Sequence, residues 1–178
     1  MKKCFLLIFA VILFTSCSYK VYVVRHAEKA AEPAANPELS AAGTQRALSL
    51  REVLRTKKIK RIYSTNTTRT LNTVLPLSEV INIKAEIYAS RPDSALIRKI
   101  RSHPENQLVV GHSNTIDDIV NMLCGKKVVP DDLPDTAYDN LYVVKLPKSG
   151  NGSAKFRNRK YGHRTVVSGV PDKAAMTR

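Results

Sequence analysis

The sequence has few acidic residues and no apolar run long enough to span a membrane. Each of these features excludes some classes of protein. Against 29 lysines and arginines it has 15 aspartates and glutamates, so the formal net charge is +14. This excess predicts anionic neighbours: phosphorylated substrates, lipid head groups or polyanions. The apolar run from Cys4 to Phe14 has eleven residues, about half of the roughly twenty that a membrane-spanning helix needs. That length is typical of a signal peptide.

Cysteines and metal-ligating residues are too few and too scattered for a disulfide framework or a metal centre. Cys4 and Cys17 lie at the N-terminus, and Cys124 lies alone in an apolar helical pattern that is typical of a small core residue. No His-x-x-x-His pair or cysteine cluster has the spacing of zinc ligands. We therefore expect no intramolecular disulfide in the mature chain, no metal and no cofactor.

Several common functional motifs are also missing. No glycine-rich loop leads into Gly-Lys-Ser or Gly-Lys-Thr, which excludes a P-loop. Gly111-His112-Ser113 begins like a serine-hydrolase elbow, but Thr115 stands where that pattern needs glycine. Aromatic residues make up 6% of the chain, and none provides a stacking platform beside the basic residues. We therefore expect no nucleic acid as a partner.

The first seventeen residues are organised like an export signal. Lys2 and Lys3 form a short basic region, the apolar run follows, and small residues precede Cys17. Phe14-Thr15-Ser16-Cys17 resembles a bacterial lipobox, although leucine is usual at the position of Phe14. The resemblance implies cleavage before Cys17 and lipidation of its thiol. An ordinary cleaved signal and an uncleaved anchor are the alternatives.

We therefore predict that residues 1–16 are a lipoprotein-type signal peptide. The mature protein would lie in the bacterial cell envelope, attached to a membrane through the lipid on Cys17. We expect this membrane to be the outer membrane, with the protein facing the periplasm. Residues 163–178 would form a basic tail.

Strand and helix patterns alternate along most of the remaining chain. This alternation predicts an α/β fold, a three-layer sandwich with a mostly parallel central sheet and helices on both faces. The glycine-rich turn near residues 150–153 separates two further strands, which predicts a C-terminal antiparallel hairpin. The predicted strands are Val21 to Val24, Arg61 to Ser64, Asn82 to Tyr88, Gln107 to Val110, Asn140 to Leu146 and Lys155 to Tyr161. The predicted helices run from Ser40 to about Arg55, through Leu71 to a bend or end at Pro76, from Pro92, and from Ile116.

Three predicted strand ends carry side chains that suit phosphate chemistry. Arg25 and His26 follow the first strand, Arg69 follows the second through a polar loop, and His112 ends the fourth. Ligand sites in α/β sheets lie beyond the carboxyl ends of the strands, so we expect these side chains to converge. A neutral imidazole can act as a nucleophile, and guanidinium forks fit phosphoryl oxygens. Taken singly, each could instead be a solvated arginine or a structural histidine.

The same segments resemble the signatures of the histidine phosphatase superfamily, which includes phosphoglycerate mutases and acid phosphatases. Arg25-His26-Ala27-Glu28-Lys29 is similar to the Arg-His-Gly/Ala-Glu signature of that superfamily. The segment from Leu39 to Ala47 resembles its first helix. Ile62 to Thr73 resembles its Tyr-Ser-Ser segment leading to Arg and Thr, and Val109 to Thr115 its late Gly-His segment. The segments occur in the expected order, so we assign residues 18–162 to a histidine phosphatase domain.

The resemblance implies a role for each residue. His26 would be the nucleophile and form a phosphohistidine, which water would then hydrolyse without a metal. Arg25, Arg69 and His112 would hold the phosphoryl oxygens. The predicted function is therefore a metal-independent phosphatase that acts on a phosphomonoester, phosphohistidine or phosphoanhydride, carried by a small molecule or a phosphoprotein.

The sequence departs from the family at the proton donor. The acid phosphatase branch has Asp after its late His, where this chain has Ser113-Asn114. The mutase branch has a Glu-Arg pair where this chain has Ala89-Ser90-Arg91. Glu28 is then the nearest candidate donor, with Glu86 and Asp93 behind it. A missing donor favours good leaving groups, and the absence of a long insertion over the site favours hydrolysis over mutase chemistry.

A rival interpretation is non-enzymatic. The chain could be a catalytically weak, lipid-anchored module that binds anionic envelope polymers. Lys155, Arg157 and Arg159 alternate on one face of the last predicted strand. The same pattern also protects an edge strand from aggregation, and both explanations are kept open at this point.

Overall fold

The computed structural model describes residues 18–150 and 152–164. The predicted signal peptide, Cys17 and the tail beyond Arg164 lie outside this part of the chain. The described residues form six strands and four helices in the order β1 (Ser18–Arg25), α1 (Ala41–Leu54), β2 (Arg61–Ser64), α2 (Thr68–Ile81), β3 (Ala85–Ile87), α3 (Ser94–Ser102), β4 (Gln107–Gly111), α4 (Ile116–Cys124), β5 (Asn140–Pro147) and β6 (Lys155–Lys160). None of these helices is long and apolar enough to cross a membrane.

All six strands join in one sheet with the order β3-β2-β4-β1-β5-β6. The pairs β1–β4, β2–β4 and β2–β3 are parallel. β5 runs antiparallel to β1, and β6 runs antiparallel to β5. The carboxyl ends of β1, β2 and β4 therefore meet at one edge of the sheet, as the sequence predicted, and the C-terminal antiparallel hairpin is confirmed.

The sheet separates two hydrophobic cores, because successive strand residues point to opposite faces. Val21 and Val23 of β1 pack with residues of α3 and α4 on one face. Tyr22 and Val24 pack with residues of α1 and α2 on the other. The predicted α/β sandwich with helices on both faces is thus confirmed. Cys124 packs beside the first core, and every strand and helix of the described part lies between Ser18 and Lys160.

Two helix boundaries differ from the prediction. Pro76 lies inside α2, which continues to Ile81. Proline removes one backbone donor from the helix, but the buried Thr73, Val74 and Leu77 hold α2 against the sheet on both sides of Pro76. The third helix begins at Ser94 rather than Pro92, because the Asp93 side chain accepts a hydrogen bond from the Leu96 amide at 3.0 Å and caps the helix there.

The start of α1 is fixed against the segment that follows His26. The Ser40 hydroxyl accepts from the Gly43 amide at 3.1 Å, and the Ser40 amide donates to the Glu28 carbonyl at 2.9 Å. A Cβ atom at position 43 would overlap that carbonyl oxygen, so only glycine fits. The glycine thus permits close contact between α1 and the Arg-His segment.

Candidate active site

The carboxyl ends of β1, β2 and β4 open into a cleft of about 690 Å³. Four predicted site residues, Arg25, His26, Arg69 and His112, all line it. The convergence expected from the strand order therefore takes place. The other lining residues come from three loops and the start of two helices: Lys29, Thr67, Ser90, Arg91, Ser113, Asn114, Thr115, Asp135 and Tyr138.

His26 is held in the tautomer that a nucleophile needs. Its Nδ1 lies 2.7 Å from the Ala27 carbonyl oxygen, and because a carbonyl only accepts, Nδ1 carries the proton. Nε2 then has a free electron pair. The side chain is only 4% exposed, and burial, together with the nearby Arg25 and Arg69 charges, lowers the pKa of His26 from 6.5 to about 3. The imidazole is therefore neutral at ordinary pH.

His112 faces His26 with a ring-centroid distance of 5.5 Å. Its Nδ1 lies 3.4 Å from Arg69 Nη2, and its Nε2 lies 2.9 Å from Thr65 Oγ1. A guanidinium can only donate, so Nδ1 accepts and Nε2–H donates to Thr65. Burial and the charges of Arg69 and Arg25 lower the pKa of His112 to about 4. His112 is therefore neutral at ordinary pH.

Arg25 is held by the loop between α4 and β5. Its Nη1 donates to the carbonyl oxygens of Pro134 at 2.9 Å and Asp135 at 3.1 Å. Its Nη2 lies 3.4 Å from Asp135 Oδ1 and 3.3 Å from the Tyr138 hydroxyl, and the guanidinium carbon lies 4.1 Å from the centre of the Tyr138 ring. Within the described residues Nε is buried without a hydrogen-bond partner. The loop therefore fixes the two Nη groups of Arg25.

Hydrogen bonds through threonine tie α2 to the site. Thr73 Oγ1 donates to the Arg69 carbonyl at 2.7 Å and accepts from the Ala27 amide at 2.8 Å. Thr65 Oγ1, which accepts from His112, donates to Thr70 Oγ1 at 3.1 Å. Thr65, in the loop after β2, and Thr73, inside α2, thus position Arg69, His26 and His112 relative to one another.

Glu28, the first candidate for the proton donor, lies elsewhere. Arg46 Nε donates to both of its carboxylate oxygens, at 2.9 and 2.8 Å, and Arg46 Nη2 lies 2.6 Å from Oε1. Arg46 is buried and also donates to the carbonyl oxygens of Tyr161 and His163, both at 3.0 Å. Glu28 does not line the cleft. This position contradicts the prediction that Glu28 donates a proton to the leaving group. The carboxylate lies outside the cleft and forms an ion pair with a buried arginine.

The two reserve candidates are also engaged away from the cleft. Glu86 pairs with Lys99 at 2.8 Å and with Arg61 at 2.9 Å, and these bonds lower the pKa of Glu86. Asp93 caps α3. The cleft's one carboxylate among the described residues is Asp135, whose side chain is 97% exposed beside Arg25.

Sequence reasoning missed the loop residues that complete the cleft. Asp135 and Tyr138 lie in a segment with no hydrophobic period, more than 100 positions from Arg25. Their proximity depends on the antiparallel placement of β5 beside β1. Lys29 and Arg91 were visible as basic residues near the matched motifs, but nothing local indicated that they face the same space.

The cleft is strongly basic. Arg25, Lys29, Arg69 and Arg91 line it against the single carboxylate of Asp135. Nowhere in the described ranges do three or more His, Cys, Asp or Glu side chains form a group that could hold a metal ion. The arrangement suits an anion placed between the arginines and next to the free electron pair of His26.

Residues 21–90 match the family described as the Histidine phosphatase superfamily (branch 1). No curated protein sequence matches the chain. The match confirms the superfamily resemblance of the Arg-His segment and of the segment that leads to Arg69.

Solved structures of low sequence identity share the fold. The protein histidine phosphatase SixA complexed with tungstate is 20% identical, with a TM-score of 0.63 over 79% of this chain and 96% of that chain. A mycobacterial glucosyl-3-phosphoglycerate phosphatase is 13% identical, with a TM-score of 0.57 over 81% and 98%. Phosphoglycerate mutase from Bacillus anthracis is 17% identical, with a TM-score of 0.58 over 81% and 93%. At these identities the comparisons establish the fold.

Proposed function

We propose that this protein, a hydrolase of the histidine phosphatase superfamily, transfers a phosphoryl group from its substrate to His26 and then to water. The family match supports the reaction class. The observation that carries the mechanism is the neutral His26, whose Nδ1 proton is bound by the Ala27 carbonyl so that Nε2 keeps its electron pair inside a basic cleft.

In the first step Nε2 attacks phosphorus, the N–P bond forms and the bond to the leaving group breaks. The Arg69 guanidinium donates to the phosphoryl oxygens as the group moves, and the charge of Arg25 lies in the same cleft. In the second step water attacks the phosphohistidine, the N–P bond breaks, and inorganic phosphate leaves with the Nε2 electron pair restored.

The donor set also indicates which leaving groups suit the cleft. A poor leaving group, such as an alkoxide, needs a proton from a neutral acid. The cleft's one described carboxylate, Asp135, is 97% exposed at the rim, so no acid side chain is buried beside His26. We therefore infer that phosphohistidine and phosphoanhydride bonds react faster here than alkyl phosphate esters. One of the structurally similar proteins is named a protein histidine phosphatase, and that name refers to the same class of substrate.

The primary test uses the chain from Ser18 onward with p-nitrophenyl phosphate, whose leaving group needs no acid. We expect turnover in the presence of EDTA, and we expect its loss in His26→Ala. The matched control is His163→Ala, because the side chain of His163 is exposed and outside the cleft. Turnover that survives in His26→Ala, or that requires a metal, would disprove the mechanism.

The substrate class is tested on three peptides of one sequence that carry phosphohistidine, phosphoserine or no phosphate. We expect the phosphohistidine peptide to be hydrolysed at least about 100-fold faster than the phosphoserine peptide. Equal rates on both would show that a proton donor is present and would refute the leaving-group inference.

We also propose that the mature protein is anchored to the cell envelope through lipid on Cys17. The proposal is supported by the order of basic region, apolar run and cysteine at the N-terminus. Metabolic labelling with palmitate should mark the wild-type protein and should fail in Cys17→Ser. Equal labelling of both proteins would contradict it.

A further inference from the structure

A second cleft, of about 480 Å³, lies on the sheet face that α1 partly covers. We call it the basic groove. Its walls are six cationic side chains and its floor is four apolar or aromatic ones: Lys20, Lys57, Lys145, Lys155, Arg157 and Arg159, with Tyr22, Val53, Leu141 and Val143. All six cations are exposed. The groove shares no lining residue with the cleft around His26.

None of the six charges has an acidic partner among the residues that the structure describes. Nine ion pairs occur within residues 18–150 and 152–164, and none includes a cation of the groove. No carboxylate lines the groove. The groove therefore presents positive charge that the described part of the protein does not neutralise.

The strand register brings three lysines side by side. Lys20 of β1 is opposite Lys145 of β5, and Lys145 is opposite Lys155 of β6. Like charges directly opposite one another on neighbouring strands destabilise a sheet. An anion bound across the row would remove this repulsion.

Protection of an edge strand does not account for the pattern. Lysines and arginines on an edge prevent pairing with other chains, and this explains Lys155, Arg157 and Arg159 on β6, which is at the edge. It does not explain Lys20 and Lys145, because β1 and β5 are interior strands. Lys57 follows the C-terminal end of α1 and has no strand edge to protect.

The position of the groove indicates which anion it meets. Lys20 is three residues from Cys17, which is at most about 10 Å of extended chain. Whether the protein is held by lipid on Cys17 or by the apolar run before it, this end of the sheet would lie at the membrane surface. His26 lies beyond the opposite end of β1, so the catalytic cleft would face away from the bilayer.

We propose that the basic groove binds anionic phospholipids, with its lysines and arginines on the head-group phosphates and its apolar floor beneath their glycerol regions. Clustered lysines and arginines are attracted to the surface of a bilayer that contains anionic lipids. Binding at this site would orient the anchored domain on the membrane. The choice of lipid as the anion rests on the proposed attachment of the chain to a membrane near Cys17, whereas the groove itself is independent of the phosphatase reaction.

The test uses the chain from Ser18 onward, which carries the complete described fold and no lipid. It is mixed with vesicles of phosphatidylcholine alone or with about 30% phosphatidylglycerol. We expect sedimentation with the anionic vesicles only, and release as salt is raised from about 50 to 500 mM. The variant K145E/K155E/R157E should bind at least about tenfold more weakly. The matched control K84E/R98E/K126E, with the same change of charge at exposed sites outside the groove, should bind within about twofold of wild type.

A second variant, K145Q/K155Q, removes charge from the lysine row without adding acid, and should weaken binding at least about threefold. Thermal unfolding shows whether each variant is folded, independently of any phosphatase activity. An equal loss in the control variant would mean that only net charge matters and would overturn the site. So would tighter binding to soluble polyglutamate or heparin than to the anionic vesicles, which would show that the groove takes a polyanion.

Discussion

The cleft around His26 and the basic groove are both positively charged, yet they present their charge in different ways. In the cleft, Arg25 is 4% exposed and its Nη groups are bound by the α4–β5 loop. In the groove, all six cations are exposed. Fixed donors stabilise a transition state because they need no reorganisation during the reaction. Exposed flexible cations suit a surface of many equivalent anions, where position matters little.

The largest expected effect separates the two regions by chemistry. Arg69→Ala should lower kcat for p-nitrophenyl phosphate about 10²–10³-fold, because a fixed donor to the developing charge is lost. Arg157→Ala, a change of the same kind in the groove, should leave kcat within about twofold. Steady-state kinetics of both variants measure the contrast. A comparable loss of kcat in the two variants would show that turnover depends on the overall surface charge and not on the fixed donors of the cleft.

Glu28→Gln tests whether the Glu28 carboxylate contributes to stability, to catalysis or to both. Removing the carboxylate leaves the buried Arg46 without its ionic partner, so we expect the free energy of unfolding to fall by about 3 kcal/mol. Urea unfolding measures this loss. The dependence of kcat on the leaving group should not change; a selective loss on poor leaving groups would restore Glu28 as the proton donor.

The pH dependence of stability sharpens the contrast, because the cleft contains two histidines with lowered pKa values and the groove contains none. His26 and His112 bind protons near pH 3 and pH 4 in the folded chain and near 6.5 when unfolded. Between those limits the unfolded state binds more protons, so stability falls as pH drops below 6.5. Thermal unfolding from pH 4 to 8 should show this slope, and His26→Asn should reduce it. Identical slopes in both proteins would contradict the buried neutral imidazole.

The smallest effect is expected at the exposed rim of the cleft. The Asp135 side chain is 97% exposed, and exposed ion pairs contribute little. Asp135→Asn should therefore change kcat/KM for p-nitrophenyl phosphate by less than about fivefold. The main contacts of Arg25 to this loop are with backbone carbonyls, which the substitution retains. A loss above 100-fold would instead assign Asp135 a direct part in proton transfer.

Much of this architecture could be predicted from local pattern. The β-branched run before Arg25, the helical spacing after Ser40 and the apolar run before Gly111 fixed the order of elements, because periods of two and 3.6 residues are local properties. Helix ends were less predictable: Pro76 lies inside α2, since packing of the buried face outweighs one missing hydrogen bond.

The sequence by itself determined the chemistry at the strand ends: Arg25 and His26, Arg69 and His112 follow buried strands, and parallel pairing brings such ends together. Only the tertiary structure decided which charges serve that chemistry. Arg46, eighteen residues along the chain, holds Glu28, and a loop 109 residues away holds Arg25. The lysine row of the groove exists only through the register of β1, β5 and β6. Charged side chains find partners by proximity in space, and strand registry and helix docking create that proximity.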